Sequence, residues 1–164
     1  MTLKEAIDNE CTKPVDIEVC LNKLSPMLSE EKRKWSIDYM RALPEEFEDI
    51  KKIAKKIEKY YQQLDKICNR KKIDTDEYLG LLKKIEKEIK HIEAEPTYQL
   101  ITMTLVNAQY ILQNEAYLSE GIIQKEGKEI ARKGILYMQN VIKCADLLKG
   151  MAEDAFAKSK NLED

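Results

Sequence analysis

LPEEFEDIKKIAKKIEKYYQQLDKIC, residues 43–68, sets an apolar or small residue on every a and d position of an unbroken heptad: Leu43, Phe47, Ile50, Ala54, Ile57, Tyr61, Leu64 and Cys68. Alternating steps of four and three residues line these side chains along one helix face, which then needs a partner to pack against. The pattern returns after a short polar stretch as Tyr78, Leu82, Ile85, Ile89 and Ile92. Asp74, followed three residues later by Glu77, marks the start of that second helix, because the two side chains can satisfy free amides of its first turn. The spacing therefore predicts an antiparallel helical hairpin, 44–69 paired with 74–93, with Ile57 and Ile85 facing each other in its core. Pro44 suits the first helical position, where its missing N–H is no loss.

Working outward, prolines divide residues 1–43 into three short helices, expected over 2–11, Pro14–Leu24 and Ser29–Leu43. Beyond the hairpin, Pro96 opens a segment without a charged residue as far as Asn114. A surface helix carries charge on its outer side, so this one is expected to be covered on most sides. After a break near Ser119–Gly121, a last helix carries Ile130, Gly134, Tyr137, Val141, Ala145, Leu148, Ala152 and Ala155. Gly127, Ala131 and Gly134 would let a neighbour approach it closely. Residues 158–164 read as a frayed polar tail. No run alternates with a period of two, so no strand is expected. The 164 residues suffice for one domain burying roughly 70% of its unfolded surface. The expected fold is all-α: a bundle of about five to six helices built around the hairpin, with 1–43 as short N-terminal helices, 44–157 as main bundle and 158–164 as tail.

The composition, 43% hydrophobic and 35% charged, is that of a globular chain. The N-terminal residues lack the apolar core of a signal peptide, and polar side chains, among them Gln99, Thr102, Thr104, Asn107, Gln109 and Gln113, interrupt the uncharged segment, so a soluble cytoplasmic protein is expected. Of the four cysteines, Cys68 and Cys144 fall on apolar stripes as small hydrophobes, and only Cys11 and Cys20 could bridge. No CxxC spacing suggests zinc.

Chemistry is thin. Glu88 and His91 have the ExxH spacing of di-iron bundles, but His91 is the only histidine, so a surface histidine is the expected state. Glu45, Glu46, Glu48 and Asp49 crowd a helix start, where the macrodipole stabilises acids without any ligand. A helix-turn-helix reading of the N-terminal helices would bring Lys32, Arg33 and Lys34 to DNA, against a net charge of −5 over residues 1–50. No cofactor, metal site or catalytic residue is expected, and no nucleophile has a base in reach.

Charge gives the one lead. Residues 51–95 carry a net +4, and Lys51, Lys52, Lys55, Lys56, Lys59, Lys66, Arg70, Lys71 and Lys72 are expected to form a continuous cationic stripe on the solvent side of the heptad. Such a stripe is solvated, docks on the acidic N-terminal helices, or binds phosphates by counterion release. Two function classes follow. One is a non-enzymatic interaction or scaffold protein with an unknown protein partner. The other is a nucleic-acid-associated accessory protein using the stripe. The uncharged segment adds the expectation of a homodimer, with Leu100, Met103, Val106 and Tyr110 at the interface.

Overall fold

The computed structural model describes residues 37–95 and 120–163, which form three helices: α1 (Ile37–Cys68), α2 (Thr75–Glu93) and α3 (Glu120–Glu163). Among the described residues there is no strand, and the fold is all-α. Among the described residues three helices stand, against five to six expected for the chain. The expected helices over 2–11 and 14–24, the start of the third and the uncharged segment lie outside the described residues, as do Cys11 and Cys20.

The heptad of α1 is buried from Leu43 to Leu64, and at its end Ile67 is buried while the expected Cys68 is half-buried. Phe47, Ile50, Ala54, Ile57 and Leu64 are wholly inaccessible, and Leu43 and Tyr61 are nearly so. The expected start at Pro44 is wrong, since α1 begins at Ile37 and runs through the proline. An interior proline removes one helical hydrogen bond and crowds the preceding turn, at about 3 kcal/mol. Leu43 and Phe47 flank it on the buried face, and burying two such side chains is worth about 1.5–3 kcal/mol each. The packing outweighs the break.

α2 begins as its sequence signals. Asp74 has an extended backbone (φ −83°, ψ 105°), and its carboxylate accepts the backbone N–H groups of Asp76 at 3.0 Å and Glu77 at 3.2 Å. Glu77 reaches across the turn instead, accepting two hydrogen bonds from Arg70 at 2.8 and 3.5 Å. The turn between α1 and α2 is thereby clamped from both ends. Tyr78, Leu82, Ile85, Ile89 and Ile92 are all buried in one cluster with the heptad of α1.

α3 lies along the other flank of α1. Lys149 donates to Glu48 at 2.9 Å, Lys51 pairs with Asp146 at 2.7 Å, Gln139 donates to Glu58 at 3.3 Å and Lys128 donates to Asn69 at 2.6 Å. Each step along α1 is matched by an equal step back along α3, so the two helices are antiparallel and keep one register throughout. Gly134 faces Tyr61 so closely that a Cβ there would collide with the tyrosine ring, and a Cβ on Gly127 would touch Cys68 Sγ and the Tyr78 ring at 3.4 Å. These two glycines are the close-approach points expected from the sequence, and Ala131 between them is fully buried. The Tyr78 hydroxyl donates to the Gly127 carbonyl at 2.7 Å, tying α2 to α3. Burial raises the Tyr78 hydroxyl far above its usual range, so it stays a donor.

The expected frayed tail is replaced by helix, since α3 continues to Glu163. From Met151 onward no glycine or proline intervenes, and alanine, lysine, glutamate and leucine all favour helix.

Candidate interaction surface

The expected cationic stripe is divided by the structure into two sets. Lys51 is only 22% exposed and pairs with Asp146 of α3. Lys56 pairs with Glu88 of α2 at 2.8 Å, and Arg70 pairs with Glu77. These three bridge α1 or its turn to a neighbouring helix. Hydrogen bonds to Asp146 and Glu88 raise the Lys51 and Lys56 ammonium groups above their usual range. The stripe is thus not continuous, because neighbouring helices bring carboxylates that a reading of α1 alone does not place.

What remains is a row on the outer face of α1. Lys52, Lys55, Lys59 and Lys66 are exposed there beside the exposed amides of Gln62 and Gln63. None of the four lysines is bonded into an ion pair among the described residues. The carboxylates of this part of α1, Glu58 and Asp65, are half-buried. Lys71 and Lys72 extend the exposed cations into the turn.

The other candidates fall out differently. His91 is exposed, and Glu88 beside it is committed to Lys56. Among the described residues no three His, Cys, Asp or Glu side chains lie close enough to hold a metal ion. The acids at the N-terminal part of α1 do not act as one group. Glu48 is engaged by Lys149, which holds its carboxyl below the usual range. Glu46 is raised instead, by burial and by the nearby charges of Glu95 and Asp49, and its Oε2 atom is buried without a hydrogen-bond partner. Cys68 and Cys144, half-buried and buried, are in no disulfide among the described residues, and burial raises the Cys68 thiol. Leu100, Met103, Val106 and Tyr110 lie outside the described residues.

Reading the sequence missed a cleft between the end of α1 and the start of α2, lined by Gln63, Lys66, Ile67, Gly80, Leu81 and Lys84 among others. Its only foreshadowing is Gly80, a glycine inside a strongly apolar helical pattern. No described helix is long and apolar enough to cross a membrane. Compared with known proteins, the chain matches no family model, no curated protein and no solved structure.

Proposed function

We propose that this chain is a non-enzymatic helical interaction protein, a scaffold of five to six helices around the α1–α2 hairpin. The observation that carries this reading is the lysine row on the outer face of α1. Exposed ammonium groups outside any ion pair attract an acidic surface and set the rate and salt dependence of its approach. The partner that fits is an acidic protein. A cytoplasmic setting belongs to the same reading, since Cys68 and Cys144 stand outside any disulfide among the described residues.

Homodimerisation through the uncharged segment 96–114 belongs to the same reading, with Leu100, Met103, Val106 and Tyr110 as the interface. Sedimentation of the wild type and of Met103→Glu tests it. A wild-type monomer at micromolar concentration refutes the dimer, and a dimer that persists in the folded variant moves the interface elsewhere.

A second reading has its own observation. Lys52, Lys59 and Lys66 recur every seven residues, about 10 Å apart along the helix, with Lys55 between the first two. A linear row of this kind suits a phosphate backbone, with each contact adding about one to the salt slope. Electrophoretic shifts with DNA and RNA at two salt concentrations, beside a titration with polyglutamate, separate the two. Polyglutamate binding lost in a Lys52→Glu/Lys59→Glu variant supports the protein-partner reading. A salt-dependent nucleic-acid shift lost in that variant supports the second. Binding of neither removes the lysine row as a functional surface.

A further inference from the structure

Gly80 lies inside α2, where glycine weakens a helix relative to alanine. Two structural needs usually explain such a residue, and neither applies. No glycine among the described residues has a positive φ, and nothing stands within 4 Å of where a Cβ on Gly80 would be. Gly127 and Gly134, by contrast, each have a ring packed over them. Gly150 is open like Gly80, so openness alone carries nothing. The surroundings of Gly80 do.

Gly80 opens onto the cleft of about 450 Å³ between the end of α1 and the start of α2. Ile67 and Leu81 form an apolar floor, and Leu81, at 8%, is the most exposed residue of the buried core. Lys66 and Lys84 line the rim, both exposed and neither in an ion pair among the described residues. Arg70 adds a third cation, partly neutralised by Glu77. A bare phosphate backbone would satisfy the rim and leave the floor uncovered. An uncharged apolar ligand would leave the rim without a counter-charge. The occupant must carry both characters, acid and apolar, within a few residues.

We propose that this cleft docks an acidic peptide segment of a partner protein. One apolar side chain seats over Gly80 on the Ile67 and Leu81 floor, and flanking carboxylates meet Lys66 and Lys84. The inference rests on the reading of the chain as an interaction protein and names a second contact point for it, which shares Lys66 with the lysine row.

Fluorescence anisotropy of the full-length protein tests it, using a labelled peptide of leucines spaced along a run of glutamates. The comparison ligands are an all-glutamate peptide and a single-stranded DNA. At Gly80 a Cβ has no neighbour within 4 Å, so Gly80→Leu can carry its side chain into the cleft from an unstrained helix position, and helix content by circular dichroism should hold. The expected result is saturable binding of the leucine-containing peptide, weakened about tenfold or more by Gly80→Leu and by Lys84→Glu, and little changed by Lys52→Glu/Lys59→Glu. Equal binding of the all-glutamate peptide or the DNA overturns the proposal, as does an unchanged affinity in folded Gly80→Leu or no binding at all. Loss only in Lys52→Glu/Lys59→Glu also overturns it, while leaving the lysine row and the interaction reading intact.

Discussion

Replacing Gly134 by alanine should destabilise the protein even though it improves the helix. Within α3 the substitution gains about 1 kcal/mol of intrinsic helix propensity. Against that gain, the new methyl group would stand inside the space of the Tyr61 ring. Tyr61 is 2% exposed on the buried heptad of α1, so its ring has no solvent side to swing into. Either α1 and α3 move apart or the ring leaves its rotamer, and overpacking of this kind costs about 1–3 kcal/mol, sometimes more. Here the overlap is with ring carbons rather than a flexible chain end, which places the cost at the upper end. A net loss of about 2 kcal/mol is expected. Gly80→Ala is the matched control, since the same propensity gain meets no neighbour there and should raise stability by about 1 kcal/mol. Urea unfolding followed by circular dichroism reads both, through the midpoint at constant slope. Adding Tyr61→Leu to Gly134→Ala should cost less than the sum of the single changes, because one removes what the other strikes. If Gly134→Ala is as stable as the wild type, the α1–α3 approach is not as close as described.

Four further substitutions check other parts of the structure. Tyr78→Phe removes the hydroxyl's bond to the Gly127 carbonyl, which keeps its helical partner within α3, and should cost about 0.5–1.5 kcal/mol in thermal or urea unfolding; no change would mean that the hydroxyl is not the tie between α2 and α3. Ile57→Ala and Ile85→Ala, both in the buried cluster, should each cost about 2–5 kcal/mol, and a loss below about 0.5 kcal/mol would show the helix faces to be misassigned. Glu46→Gln should stabilise at neutral pH, by less than about 1 kcal/mol given its partial exposure. Its folded carboxyl titrates above the ordinary 4.5, so its charge opposes folding as pH rises past that value and is absent below it. Unfolding midpoints at pH 4 and pH 7 check the sign, and a loss at pH 7 overturns it.

The core was legible wherever a residue's fate depends on its own helix. The α1 heptad, the α2 stripe, the Asp74 cap and the close approaches at Gly127 and Gly134 all follow from spacing and side-chain size. The boundaries of α1 and α3 were less so, because a proline or a polar run reads as a stop until the packing that overrides it is known. The cationic surface was least legible. Lys51 and Lys52 are adjacent in the chain and alike in chemistry, yet one is spent on Asp146, which lies on another helix. Lys52, Lys59 and Lys66 recur every seven residues opposite the heptad, but which of the other cations are taken up by carboxylates is decided by α2 and α3. The Gly80 cleft escaped for the same reason, as its walls come from two helices.

The α1–α3 ladder also fixes an order of events during synthesis. Its contacts join residues from 59 to 101 positions apart, whereas α2 follows α1 after a six-residue turn. At about 5–20 residues per second, Lys149 emerges roughly 5–20 s after Glu48. A hairpin of α1 and α2 can form in a small fraction of that time, since elementary helix and loop events take microseconds. The nascent chain therefore has time to pair α1 with α2 before α3 is available to cover the second flank of α1. Glu48, Lys51 and Glu58 border that flank, and until α3 arrives their charges keep wet the edge of a surface that would otherwise invite other chains.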